Sequence, residues 1–255
     1  MTGLAFAALS VVLGALLWRR TRELAAARRA AEDRGDALAR ALARHVSPQV
    51  AEVLARGGSL WTGRREVTVL FADLSGFTRY AEQVSAEAAV ATLGTYLAEL
   101  TGVALAGGGT LDKFMGDEVM VVFNAPVEQP DHAARALATA RDMQLAMRLL
   151  NGERAAMGHP ALELSVGINS GEAAVGPVGA EERFQYTAIG DAVNVAKRLQ
   201  GQARPGEILV GARTMELARE TGGPFEELAL RGRAGTVRAA RLAPPPTNDD
   251  VASPP

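Results

Sequence analysis

The 255-residue sequence contains no cysteine. That absence excludes disulfides, thiolate metal sites and cysteine nucleophiles together, and it fits a reducing compartment. Histidine is nearly as scarce. His45, His132 and His159 lie far apart without ligand spacing, which argues against a histidine metal centre. No Ser/His or Cys/His constellation for nucleophilic catalysis is present either. Neither sign of charge dominates: 27 Lys and Arg stand against 29 Asp and Glu, a net charge of −2, so a general nucleic-acid-binding role is not indicated. The triple glycine Gly107-Gly108-Gly109 is not followed by Gly-Lys-Ser/Thr, which makes it a helix stop rather than a phosphate loop.

What is present is 48% hydrophobic residues, enough for a packed core in one catalytic-sized domain with appendages. Met1 to Trp18 carries no charge, and as a helix it would span about 27 Å, just enough for a hydrocarbon core. Trp18 sits where an interfacial aromatic belongs, and Arg19, Arg20 and Arg22 follow it. Positive charge on that side alone predicts a single-pass anchor in the cell (inner) membrane with the rest of the chain cytoplasmic. A cleaved signal peptide would carry its basic residues before the apolar run and a small-residue cleavage site after it; neither is seen. Residues 19–58 read as a helical linker, with Leu24, Ala31 and Leu38 repeating at seven. A solvated basic helix near anionic head groups is an equal reading. Ser47-Pro48 opens a short amphipathic helix that Gly57-Gly58 stops.

The stretch Val67 to Phe123 organises the rest of the chain. Val67-Thr68-Val69-Leu70-Phe71-Ala72 runs as a buried strand into Asp73, and Ser75-Gly76 then opens a helix. Further on, Leu111-Asp112-Lys113-Phe114-Met115 and Val119-Met120-Val121-Val122-Phe123 meet at Gly116-Asp117, a hairpin with Asp117 at its tip. Each aspartate alone could be a turn residue. As a pair beside apolar strands, with a helix N-terminus between them, they suit a divalent metal holding a polyphosphate.

Between these motifs Ser85 caps a helix with Val90, Leu93, Leu97, Leu100 and Ala104 on one face. A long helix from Pro130 to about Asn151 shows a period in Ala134, Leu137, Ala138, Arg141, Leu145 and Leu149. A strand at Leu162 to Ile168 comes next, and Gly171, Gly176 and Gly179 punctuate a strand pair. Asn194 and Arg198, four apart on the helix after Asp191, project from one face. Strands at Ile208 to Val210, Phe225 to Leu230 and Val237 to Leu242 close the sheet. Residues 243–255 are proline-rich and acidic, the composition of a disordered tail. The element order suggests α/β, a sheet with helices on one face.

Phe71-Ala72-Asp73-Leu74-Ser75-Gly76-Phe77-Thr78 and Lys113-Phe114-Met115-Gly116-Asp117 resemble the metal-binding motifs of class III nucleotidyl cyclases, and the resemblance extends from about Ser59 to Leu242. It implies an α+β fold: a ferredoxin-like core with a mainly antiparallel sheet and helices packed on it. It also implies an adenylate cyclase that forms cyclic AMP from ATP, with two Mg²⁺ per site, Mn²⁺ as a substitute, on Asp73 and Asp117. Lys113 resembles the adenine-recognising lysine. Thr187 stands where many adenylyl cyclases have Asp, a feature of the subclass that includes bicarbonate-responsive enzymes. Asn194 is similar to the ribose-orienting residue, Arg198 to the one that stabilises charge at the reacting phosphate, and Arg231 to a further triphosphate contact. The amides of Leu74, Ser75, Gly76 and Phe77 would cap the phosphates. In the family the metal pair and the base, ribose and phosphate residues of one site come from different protomers, so a homodimer with two shared sites is implied. A guanylyl cyclase usually has Glu at the Lys113 position and Cys at the Thr187 position. The Gly-Gly-Asp/Glu-Glu-Phe signature of diguanylate cyclases is absent. A catalytically silent nucleotide-binding domain of the same fold is the reading from another class.

Overall fold

The computed structural model describes residues 18–22, 24–26, 28–29, 31–35, 37, 46–180, 183–230 and 235–242. The chain divides into two units, Met1–Ser59 and Leu60–Pro255. In the first, the described residues from Trp18 to Ala37 are helical, with Arg28 bonded to Glu32 at 3.0 Å and Arg22 over the Trp18 ring at 4.5 Å. Apart from Trp18, the expected membrane anchor lies outside the described residues, as do Leu38 of the heptad stripe and the tail from 243 on. Helix α1 (Pro48–Ala55) starts as its sequence predicts: the Ser47 hydroxyl accepts from the Val50 amide, and Pro48 fills the first turn.

The second unit is built on β1 (Gly63–Ser75), whose residues Val67 to Ala72 are all buried. It pairs antiparallel with β3 (Glu118–Phe123) on one side and with β4 (Glu163–Ala180) on the other. Strand β2 (Thr110–Met115) forms the hairpin with β3, and β5 (Arg183–Ile189) folds back on the far half of β4. With β6 (Ile208–Gly211), β7 (Phe225–Ala229) and β8 (Thr236–Leu242) the sheet order is β2-β3-β1-β4-β6-β8-β7. Among the described residues only the β4–β6 pairing is parallel. The first four strands, with a helix after β1 and another after β3, are the βαββαβ arrangement of a ferredoxin-like core.

After β1 come α2 (Phe77–Ala81) and α3 (Ala86–Ala106), then α4 (His132–Ala156) between β3 and β4. Leu70, Ala72 and Leu74 of β1 face Tyr96, Leu100 and Ala104 of α3 and Ala136, Ala140 and Met143 of α4. Each large side chain in this layer contributes about 1.5–3 kcal/mol on burial. A line of buried hydroxyls and one imidazole crosses it: Thr68 bonds His132 at 2.6 Å and Ser170 at 2.7 Å, and Ser170 bonds Thr214 at 2.9 Å. Met215 of α6 (Ala212–Ala218) joins the same core.

Helix α5 (Asp191–Gln200) departs from the expectation of helices on one face. It lies on the opposite face, because Gly167 of β4 leaves room for backbone against backbone. A Cβ there would come within 2.1 Å of the Gln200 amide nitrogen and 2.4 Å of the Ala196 carbonyl. Val195 and Leu199 of α5 pack with Leu209, Leu230 and Ala239 as a smaller second core. Three other readings also change. Strand β4 runs unbroken through Gly171 and Gly176, which face Ala192 and Thr62 closely rather than turning the chain. Val90 of α3 is 71% exposed, and Leu149 of α4 is 66% exposed. The buried face of α4 is Ala133, Ala136, Leu137, Ala140, Met143 and Met147 instead. Among the described residues α3 alone is long and apolar enough to cross a membrane, and its Tyr96, Leu100 and Ala104 sit in the core.

Candidate active site

Strand β1 delivers Asp73 opposite Glu118, on the face that carries Phe71 and α5. Gly116, at φ 70°, makes the two-residue turn that sets Asp117 at the hairpin tip. The Leu74 amide donates to the Asp117 carbonyl at 3.4 Å, tying the tip to the end of β1. That amide therefore has a partner within the protein. Ser75, Gly76 and Phe77 remain at the start of α2, with Gly76 in the left-handed region at φ 89°. The Ser75 hydroxyl is bonded to Ser165 at 2.6 Å.

The two aspartates feel each other. Burial raises the Asp73 carboxyl above the usual carboxylate range, the charge of Asp117 raises it further, and the Lys197 ammonium pulls it back. Two hard carboxylates under mutual repulsion fit a divalent cation, which would relieve that penalty. Among the described residues no group of three or more His, Asp or Glu could hold a metal, so the two aspartates would be supplemented by backbone carbonyl, substrate or water oxygens.

Sequence reasoning missed two residues here. Glu118, 3% exposed, forms an ion pair with Lys197 of α5, and Lys197 lies 5.8 Å over the Phe71 ring. Burial raises the Glu118 carboxyl and the Lys197 contact opposes the rise. This pair joins the hairpin that carries Asp117 to the helix that carries Asn194 and Arg198. Its signal in the sequence is a lysine one residue before Arg198, on a helix whose neighbouring strand brings an extra acid. Asn194 is exposed and Arg198 is half-buried; among the described residues neither side chain has a hydrogen-bond or ion-pair partner.

Lys113 and Thr187 come together: the ammonium donates to the Thr187 hydroxyl at 3.3 Å. Behind them lies Asp112, which the sequence also left unmarked, with a side chain only 1% exposed. It accepts from Thr187, from Lys113 at 3.2 Å and from Gln185 at 3.1 Å. Burial raises the Asp112 carboxyl, and the bonds from Thr187 and Lys113 counter it. No hydrogen bond or ion pair links this cluster to Asp73, Asp117, Asn194 or Arg198 among the described residues. Arg231 lies outside the described residues.

The family described as the adenylate and guanylate cyclase catalytic domain matches residues 61–237. This chain belongs to that family. The cyclase domain is 42% identical over 145 residues to Adenylate cyclase 1 of Rhizobium meliloti, which covers 57% of this chain and 22% of that protein. It is 34% identical over 205 residues to an uncharacterized protein of Mycobacterium tuberculosis, 78% of this chain and 36% of that one. The chain thus spans well under half the length of these curated relatives. Among solved structures it is similar to the adenylyl cyclase CyaB from P. aeruginosa, at 36% identity and a TM-score of 0.68, covering 74% of this chain and 99% of that one. It is equally similar to the guanylyl cyclase Cya2, at 36% identity and a TM-score of 0.68, covering 71% and 92%. Overall similarity to the cyclases therefore does not choose between the two purines.

Proposed function

We propose that this cyclase domain converts ATP to 3′,5′-cyclic AMP and pyrophosphate, in signal transduction, as a homodimer held at the cell membrane by residues 1–18. The observation that carries the choice of ATP is the Lys113–Thr187 contact at 3.3 Å. Adenine offers an acceptor at N1, which an ammonium can meet; guanine has an N–H there. A glutamate at position 113 would serve guanine instead, and the sequence has lysine.

In the reaction the 3′-oxygen attacks the α-phosphorus, the bond to the bridging oxygen of the β-phosphate breaks, and pyrophosphate leaves; the hydroxyl proton goes to solvent. Divalent metal held by Asp73 and Asp117 would supply a lowered hydroxyl pKa and charge neutralisation at the phosphates. Asn194 orients the ribose. Arg198 sets a planar multi-donor cation against the reacting phosphoryl group, where charge rearranges. Ser75, Gly76 and Phe77 offer backbone amides to the phosphates, and Arg231 adds a further positive charge.

The helical wheel of α5 supports a site shared between two copies. Lys197 points to the chain's own Glu118 and Asp73. At about 100° per residue, Asn194 and Arg198 stand about 60° and 100° around the helix from Lys197, both in the same sense. They thus do not share the direction in which Lys197 meets its own Glu118 and Asp73, which leaves them available to a second copy.

Purified protein given ATP or GTP with Mg²⁺ or Mn²⁺ should form cyclic AMP from ATP, with the guanine product at least tenfold slower. Absence of any cyclic product would sink the function, and a preference for GTP would make it a guanylate cyclase. For the anchor, the whole chain should pellet with membranes and a chain lacking residues 1–18 should stay in the supernatant. Intact chain in the soluble fraction would contradict it.

A further inference from the structure

We propose that Asp112 is the positioning residue that fixes the hydrogen-bond polarity of Lys113 and Thr187, and with it the preference for adenine over guanine. The inference rests on the cyclase reading above and names a residue beyond the base-contacting pair.

An ionised carboxylate only accepts hydrogen bonds, so the single proton of the Thr187 hydroxyl must point at Asp112. What Thr187 can offer a ligand is therefore lone pairs only. Lys113 occupies one of them at 3.3 Å, which leaves one acceptor. Lys113 has three N–H bonds. One goes to Thr187 and one to Asp112, at 3.2 Å, which leaves one donor. Gln185 caps the remaining side of the carboxylate, donating to Asp112 Oδ1 at 3.1 Å and to the Asp112 backbone carbonyl at 3.0 Å. The pair thus presents one acceptor beside one donor.

Adenine carries the complement on its edge: the 6-amino group donates and N1 accepts. Guanine carries the reverse, with O6 accepting and N1–H donating. Bound in the same position it would set donor against donor and acceptor against acceptor, leaving polar groups unpaired in a buried place. Without a buried acceptor behind it, the Thr187 hydroxyl would turn its proton either way and the discrimination would be lost. The ammonium of Lys113 would also lose the charge that holds it in place. Burial disfavours the ionised form of Asp112, and the bonds from Thr187 and Lys113 are what favour it.

A purely structural role is the competing account, because Asp112 with Gln185 and Thr187 also staples β2 to β5. Five proteins separate the two: wild type, Asp112→Asn, Gln185→Ala, Thr187→Val and the double variant Asp112→Asn/Thr187→Val. For each, kcat/KM for ATP and GTP is measured, together with the Kd of 3′-deoxy-ATP and 3′-deoxy-GTP, which lack the attacking hydroxyl and cannot react. Asp112→Asn places an amide donor behind Thr187, so the ATP:GTP ratio should fall about tenfold or more in kcat/KM and in Kd alike. Thr187→Val should shift the ratio in the same direction. In the Thr187→Val background Asp112→Asn should add less than about threefold, since two changes acting through one contact are not additive. Gln185→Ala breaks the staple but not the polarity, and should leave the ratio unchanged.

Equal losses for both nucleotides in Asp112→Asn, or a shift of the ratio in Gln185→Ala as large as in Asp112→Asn, would overturn the inference. A wild-type protein that binds 3′-deoxy-ATP in preference to 3′-deoxy-GTP but turns over neither nucleotide would remove the proposed reaction. The binding ratios would then still decide the role of Asp112. Wild-type protein that binds neither analogue removes both.

Discussion

Asp73→Asn and Asp117→Asn are expected to lower kcat about a thousandfold or more while leaving the fold as stable as before, or more stable. The loss follows from the metal that two carboxylates would hold, which is worth several kcal/mol to a phosphoryl reaction. The stability half follows from the electrostatics of the protein without metal. The folded state raises the Asp73 carboxyl through burial and through Asp117, so the ionised form is disfavoured relative to the unfolded chain. The sign is then fixed: at neutral pH the charge on Asp73 costs stability, and that cost disappears as the pH falls through its raised folded-state pKa. An uncharged amide of the same size removes the cost at every pH. Cyclic nucleotide formation and thermal unfolding, both measured at neutral pH and the latter without divalent ions, check the two halves. Wild-type turnover in either variant would sink the metal assignment. A marked fall in the unfolding temperature would show that the carboxylates are structural.

The sequence was readable where one local rule decided the outcome. The apolar run into Asp73, the Gly116-Asp117 tip, the Ser85 cap and the stop at Gly107 all needed only turn chemistry and capping. The cap is a 3.2 Å bond from the Ala88 amide to the Ser85 hydroxyl. Reading failed where the answer depended on a distant partner. Gly167 looks like any strand glycine until α5 is seen resting on it, and that contact is what placed a helix on the second face. The same holds for Gly171 and Gly176, which look like strand punctuation although each makes room within β4 for a neighbour outside it, Ala192 and Thr62 respectively. In α4 the leucines of one stripe outweighed the alanines and methionines of another, and the small residues won because α4 packs close to the sheet and to α3.

The candidate site shows the same division. The residues that a local motif singles out are Asp73, Asp117, Lys113, Thr187, Asn194 and Arg198, and of these the structure joins Lys113 to Thr187. Asp112 was passed over although it adjoins Lys113, since a buried acid makes sense only once Thr187 and Gln185 arrive from β5. Lys197 and Glu118 are 79 positions apart, and nothing local relates them. Both unread pairs link elements distant in sequence.

In the proposed homodimer one chain holds two halves of a site and two chains make it whole. Two inactive variants test it most directly. Asp73→Ala removes a carboxylate from the metal half. Arg198→Ala removes a planar cation from the phosphate half, and deleting such a charge-stabilising group typically costs about a hundred- to a thousandfold in kcat. Arg198 has no partner among the described residues, so its loss should leave the fold unchanged. Each homodimer should be inactive at both sites. In a mixed dimer one site contains both defects, while the other combines an intact metal pair from one chain with an intact Arg198 from its partner. The measurement is cyclic AMP formation by co-expressed variants carrying different tags, purified through both tags in sequence. Recovery to about half the wild-type rate per dimer is expected if the two sites act independently. Purified heterodimers that remain as inactive as either parent would contradict the claim and show that each chain builds its site alone.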